Sequence, residues 1–384
     1  MKDSSLNAAD LMENAAQQTG LSTYGDAPLT EGLEILCRAL HDEARLNDHG
    51  RETARSELTD ILVQRLRVED WYRQAPEIQD QTFESPIMVV GLPRSGTSAL
   101  SQMLAQDPHN RSIRRWEGAE PTPPPDIRTE ATDARIKTAQ AELAARYAAA
   151  PELMAMNPIT VDDPTESLCY LRYCFTSLHF AGVYNVPSYE TWALNCDMRP
   201  AYSYLVKVLK LLQWRRPPTR WNLKYPLDLF YLDAIAEVIP DARFVWTHRD
   251  PVKAIPSVAS LLAARRRPFT KHIDKIALGR AEFAARRQQI ERALGYRDAP
   301  GALPIVDLRN DDLVRDPIGC IGSLYGALGL EMTDDYHGAL QQRIAERPKG
   351  KFGTHHYTAE EFGLEPSDLG DAFAGYITRF GLQS

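Results

Sequence analysis

Apolar residues recur along the chain with two different rhythms. Between Thr30 and Gln74 they fall at three- and four-residue steps (Leu33, Leu36, Leu40, then Leu58, Ile61, Leu62, Leu66), which predicts two amphipathic helices broken near Asn47–Gly50. Such a segment is expected as a helical layer on the main core, with a homodimer contact as the other use of the same face. At Ile87–Val90 the rhythm changes to a short, continuous, β-branched run, the pattern of a buried strand. Apolar residues then return at helical spacing from Ala99 to Leu104. Further short strands are predicted at Trp221–Lys224, Ala242–Thr247 and Ala302–Leu308, each followed by a helical stretch. Strand alternating with helix is the signature of a parallel sheet with right-handed crossovers. The expected fold is α/β: a P-loop-like central parallel sheet flanked by helices.

Other stretches fill in the organisation. Residues 1–27 are polar and rich in Ala, Asn and Gln, and are expected to form a flexible arm before a single domain spanning 28–384. Residues 127–215 read as a helical insert, with long helices over 129–150, 162–180 and 203–213. Ten aromatics lie between Tyr170 and Trp214, and they fit core packing and the wall of a ligand pocket equally well. Arg111–Pro125 carries a proline cluster and is expected to be loop rather than regular helix.

Composition limits the function. The chain has 384 residues, a net charge of -8 and five cysteines with no C-x-x-C spacing. A nucleic-acid binder working by phosphate neutralisation is disfavoured, as are a disulfide framework and a zinc site. No stretch has the ~20 apolar residues of a membrane span, and the N-terminus lacks a signal-peptide core, so a cytoplasmic protein is expected.

The candidate chemistry sits between the first strand and its helix, in Gly91-Leu92-Pro93-Arg94-Ser95-Gly96-Thr97-Ser98. Two glycines and a helix start make an anion site: the backbone can approach closely, and the amides and helix dipole favour negative charge. The spacing nearly matches a P-loop, but Thr97 stands where that motif has its lysine. Arg94 supplies the positive charge instead. Glu117 and Glu120, in a loop expected near the same mouth, are candidates for proton work or simply solvated carboxylates. After the third predicted strand comes His248-Arg249-Asp250-Pro251, and after residue 346 a basic run containing Lys349-Gly350-Lys351.

Taken in order, GLPRSGTS after a strand, LKYP, VWTHRDP with a serine eight residues past its arginine, and the basic K-G-K stretch resemble the sulfotransferases. The likeness is to a bacterial branch whose loop reads L-P-R-[ST]-G-T-[ST], and it covers residues 86 to about 364. It implies 3′-phosphoadenosine 5′-phosphosulfate (PAPS) as donor and no metal requirement. Arg94, Ser95, Gly96, Thr97 and Ser98 would hold the phosphosulfate. Arg249 and Ser257 would hold the 3′-phosphate, with Lys349, Gly350 and Lys351 joining the donor site; the other reading of Arg249 is an ion pair with Asp250. Lys224 would contact the transferring or leaving oxygen. For the base, the resemblance points to Glu117, with Asp228 and Glu166 as further candidates, Glu166 alternatively capping its helix. The partner is a small-molecule or carbohydrate acceptor with a hydroxyl, and the aromatic insert favours a ring-bearing alcohol. A P-loop small-molecule kinase and a non-catalytic nucleotide-binding module are the rival readings.

Overall fold

The computed structural model describes residues 6–151, 153–154, 159–217, 219–346 and 357–382. Five parallel strands form one sheet in the order β2-β3-β1-β4-β5: β1 Ile87–Gly91, β2 Asn110–Arg111, β3 Arg220–Lys224, β4 Arg243–His248 and β5 Ile305–Arg309. β1 is central and buried at all five positions, as its β-branched run requires. The register sets Val89 beside Lys224 on one side and Val245 on the other, with Gly91 beside Thr247. The carboxyl ends of β1, β3 and β4 therefore open at one edge. Strand order reverses direction at β1, and in open α/β sheets ligands bind at such a switch point.

Helices cover both faces. α1 (Ala8–Thr19), α2 (Thr30–Asp42) and α3 (Asp48–Gln74) form a layer whose apolar stripes join the main core. The expected flexible arm is corrected here. Leu11 and Ala15 of α1 are buried, the Tyr24 hydroxyl donates to the Met12 carbonyl (2.8 Å), and Arg65 Nε donates to the Tyr24 carbonyl (2.7 Å). A buried arginine thus ties residues 6–27 down through backbone acceptors, which a polar composition does not reveal.

Three more differences follow from tertiary packing. The stretch 111–125 is not wholly loop: α5 (Arg115–Ala119) follows β2, and at its start Glu117 accepts from both the amide and the guanidinium of Arg114. The helix expected over 162–180 is broken into Leu168–Leu171, a 3-10 turn at Arg172–Cys174 and His179–Val183. Phe175 takes a left-handed conformation at the break, where its carbonyl accepts from the Tyr189 hydroxyl. The long alanine-rich helix is shorter than expected: α6 covers Ala134–Ala149. The aromatics of the insert pack in the main core, with Tyr170, Tyr173, Phe175, Phe180, Tyr184, Tyr189, Tyr202 and Tyr204 buried.

Candidate active site

The loop between β1 and α4 (Thr97–Leu104) is shaped by its own hydroxyls. Ser95 Oγ donates to the Leu92 carbonyl (2.6 Å) and lies 2.7 Å from Thr247 Oγ1 at the end of β4. Gly91 and Gly96 have positive φ (155° and 93°). A Cβ on Gly91 would stand 2.5 Å from Thr247 Oγ1, and one on Gly96 would stand 2.4 Å from Asn310 Oδ1. Arg94 also sits at positive φ (71°), a strained position for a residue with a side chain. The loop folds into a tight cup over the first turn of α4, whose leading amides lack intrahelical acceptors. Ser95 spends its hydroxyl on that shape and is itself fully buried.

Three of the expected donor-site residues meet at the cup. Arg94 Nε donates to Ser257 Oγ (3.2 Å), and Arg249 Nη1 donates to the Arg94 carbonyl (2.7 Å). Burial, then the neighbouring Arg249, lowers the pKa of Arg94. Asp250 instead caps the helix Pro251–Arg266 by accepting from the Val252 amide (2.9 Å), and among the described residues no ion pair joins it to Arg249. Lys349, Gly350 and Lys351 lie outside the described residues.

The cup opens into a cavity of about 1260 Å³, walled by Arg94, Thr97, Ser98, Lys224 and Arg249 on the sheet side and by α3, α5, α6 and the rest of the insert opposite. At its floor Lys224 Nζ donates to Ser98 Oγ (3.3 Å) and to Glu166 Oε1 (2.8 Å). The lysine is 5 % exposed, while Glu166 is 29 % exposed toward the cavity. The amide of the next residue, Ser167, donates to the Lys224 carbonyl (3.1 Å), so backbone and side chain fix the pair together.

The other two carboxylates stand elsewhere. Glu117 is wholly buried, and its oxygens accept from Arg111 Nη2 (2.8 Å), Arg114 Nη2 (2.9 Å) and the Arg114 amide (2.9 Å). Burial would raise its pKa, but the charges of Arg111 and Arg114 and the bonds from Arg114 bring it down to about 2. Its neighbours Trp116 and Gly118 line the cavity; Glu117 does not. The structure thus places Glu117, expected as the base, in a buried arginine cluster and off the cavity wall. Asp228 is buried beneath β3, accepting from the Tyr202 hydroxyl (2.7 Å) and approached by Ser167 Oγ (3.4 Å). Burial lifts its pKa to about 7, against the lowering effect of those hydroxyls. It too is absent from the cavity wall.

Two structural supports lie outside the sequence motifs. Gln289, on the helix Lys275–Arg297, donates to the carbonyls of Pro226 (3.0 Å) and Gly91 (3.4 Å), bracing the ends of β3 and β1. Asn310 packs under Gly96. The aromatics of 170–214 do not line the cavity; its aromatic walls are Trp116 and Tyr147.

A model of the sulfotransferase family matches residues 86–334. The chain belongs to that family. Its fold matches a sulfotransferase from Mycobacterium avium, STF9, at 28 % identity and TM-score 0.89, covering 98 % of this chain and 97 % of that one. STF1 from Mycobacterium tuberculosis matches at 27 % identity and TM-score 0.86, over 97 % and 100 % of the two chains. Among curated proteins, the omega-hydroxy-beta-dihydromenaquinone-9 sulfotransferase Stf3 of Mycobacterium bovis and of Mycobacterium tuberculosis is 26 % identical over 161 residues. That match spans 40 % of this chain and 40 % of each relative's length. Among the described residues, no helix is long and apolar enough to cross a membrane.

Proposed function

We propose that this sulfotransferase moves a sulfuryl group from PAPS to a hydroxyl of a small-molecule acceptor, with Glu166 as the base. The observation that carries the reading is the position of Lys224, shared between Ser98 of the phosphate loop and the cavity-facing carboxylate of Glu166.

The residues present fit the donor. A guanidinium at Arg249 and the Ser257 hydroxyl suit a phosphate monoester, since arginine grips phosphate through two hydrogen bonds. Arg94 links that corner to the loop through Ser257, so one bisphosphorylated nucleotide can touch both. The first-turn amides of α4 suit the phosphosulfate end. The donor supplies a sulfuryl group whose leaving group is a phosphate oxygen. Arg94, the loop amides and Lys224 stabilise negative charge on that oxygen and on the sulfuryl oxygens, placed in advance so that little reorganisation is needed. Glu166 takes the proton of the acceptor hydroxyl as its oxygen bonds to sulfur and the sulfur–phosphate oxygen bond breaks. Lys224 turning from Glu166 toward the leaving oxygen would free the carboxylate for that task. The name of the relative Stf3 gives an omega-hydroxy acceptor, which supports a hydroxyl here as well.

The test is transfer of labelled sulfate from PAPS to a panel of alcohols, read by mass spectrometry, beside thermal shifts with adenosine 3′,5′-bisphosphate and with ATP plus Mg²⁺. Stabilisation by the bisphosphate together with an added sulfate is expected. A response to ATP alone would replace this reading with the kinase one; bisphosphate binding without transfer to any acceptor would replace it with a binding module.

A further inference from the structure

The same cavity is lined by positive charge beyond the residues assigned above to the donor. Arg115 on α5, Arg146 on α6 and Arg265 near the end of the helix Pro251–Arg266 all line it. They are brought together by packing: Leu153 and Ala150, just past α6, meet Ala264 and Leu261 in a small apolar cluster that includes Tyr147. The Arg115 amide is held by the Val161 carbonyl (3.1 Å). None of the three guanidiniums has an ion-pair partner among the described residues.

Neighbouring acids do not explain them. Glu57 is taken by His179 Nε2 (2.6 Å) and the Tyr184 hydroxyl (2.9 Å), and Glu166 by Lys224. Glu142 acts on Arg115 only at a distance. Burial, then repulsion from Arg115 and Arg265, lowers the pKa of Arg146 to about 10, which still leaves it charged at neutral pH. Folding three like charges into one half-buried cavity is unfavourable unless a ligand neutralises them.

We infer that the acceptor is a hydroxyl-bearing organic anion, whose oxyanion is held by Arg115, Arg146 and Arg265 while its hydroxyl faces Lys224 and Glu166. This rests on the sulfotransferase reading for the hydroxyl, but the oxyanion site stands on its own geometry. It also replaces the sequence expectation of a ring-bearing alcohol, because the insert's aromatics are spent in the core. Phosphate monoesters, sulfate monoesters and carboxylates share the required chemistry, since arginine binds each through paired N–H donors.

Calorimetric titration of the full chain with phenyl phosphate, phenyl sulfate, benzoate and neutral phenol, each with and without saturating adenosine 3′,5′-bisphosphate, tests it. At least one anion should bind the bisphosphate-loaded protein tenfold or more tightly than phenol does, and the ranking of the three identifies the oxyanion. Arg146→Gln and Arg265→Gln should each weaken that anion at least tenfold while changing bisphosphate affinity less than twofold. Arg146→Lys, which keeps the charge, should retain most of the binding and so separates charge from folding. Equal binding of anions and phenol overturns the inference, as does one-for-one displacement of the anion by the bisphosphate, which would make these arginines part of the donor site. Failure of the bisphosphate to bind at all counts against the donor reading instead, and the titrations without it then decide the arginine site.

Discussion

Lys224 and Glu166 face each other at 2.8 Å across the floor of the cavity, the lysine almost wholly buried and the glutamate partly open to the cavity. A cation and a carboxylate so placed can divide the work of sulfuryl transfer: charge stabilisation on one side and proton removal on the other. General-base removal contributes roughly 10²–10⁴-fold to rate. Glu166→Gln should therefore lower kcat by about that factor, while adenosine 3′,5′-bisphosphate affinity changes less than threefold. Near-normal turnover in a labelled-sulfate assay would remove Glu166 from the role.

Glu117 should behave in the opposite way. It satisfies Arg111, which is 6 % exposed and also donates to the Leu212 carbonyl (2.7 Å). Removing one partner of a buried pair costs about 3–5 kcal/mol, because the other charge stays buried. Glu117→Gln should lose about that much stability in urea unfolding, with any residual folded protein keeping its turnover per folded molecule. The sign with pH follows from a folded pKa of about 2 against an ordinary 4.5. The contribution is present above the ordinary value and is lost as pH falls from 4.5 toward 2, so the variant's stability curve should be flatter across that window.

Asp228 has the reverse linkage. Its folded pKa is raised from 3.8 to about 7, so between those values the folded chain holds a proton that the unfolded chain has released. Stability from this site is greatest below the ordinary value and falls as pH rises toward 7, by at most about 4 kcal/mol for a shift of about three units. Asp228→Asn keeps an acceptor for the Tyr202 hydroxyl and removes the ionisation. It should melt above the parent at pH 8 and by a clearly smaller margin at pH 5, as followed by circular dichroism. An unchanged difference between the two pH values would contradict this.

How much of this could be read in the sequence depended on range. β1, the loop and α4 are contiguous, and the change from a β-branched run to helical spacing encodes them locally. Arg94 stands out in that loop by itself, whereas Lys224, Arg249 and Ser257 gain their roles only through the resemblance of their motifs to those of the sulfotransferases. The surroundings of the candidate bases were harder to read. Glu117 lies near the mouth, but Arg111 and Arg114 at six and three residues before it claim both oxygens, and that spacing was a signal that could have been weighed. Glu166 reaches Lys224 through the pairing of Ser167 with the β3 carbonyl and the bridge between Arg114 and Pro164. No local pattern announces a contact across 58 residues. The arm at 6–27 was misread because its anchor, Arg65, is polar yet fully buried.

The corner formed by Arg94, Arg249 and Ser257 yields the last prediction. Arg249 donates to the carbonyl of Arg94, and Arg94 donates to Ser257, so the three form one hydrogen-bonded chain. A phosphate gripped there is held by charge-assisted bonds, each worth about 1.5–3 kcal/mol. Arg249→Met should weaken adenosine 3′,5′-bisphosphate by about tenfold to a hundredfold, in line with one such bond lost. Adenosine 5′-monophosphate, which lacks the 3′-phosphate, should bind the parent and the variant almost alike. That contrast separates recognition of the 3′-phosphate from a general loosening of the loop, since a distorted Arg94 carbonyl would weaken both nucleotides together. Equal losses for the two ligands in titration calorimetry would assign Arg249 to holding the loop in shape rather than to contacting the donor.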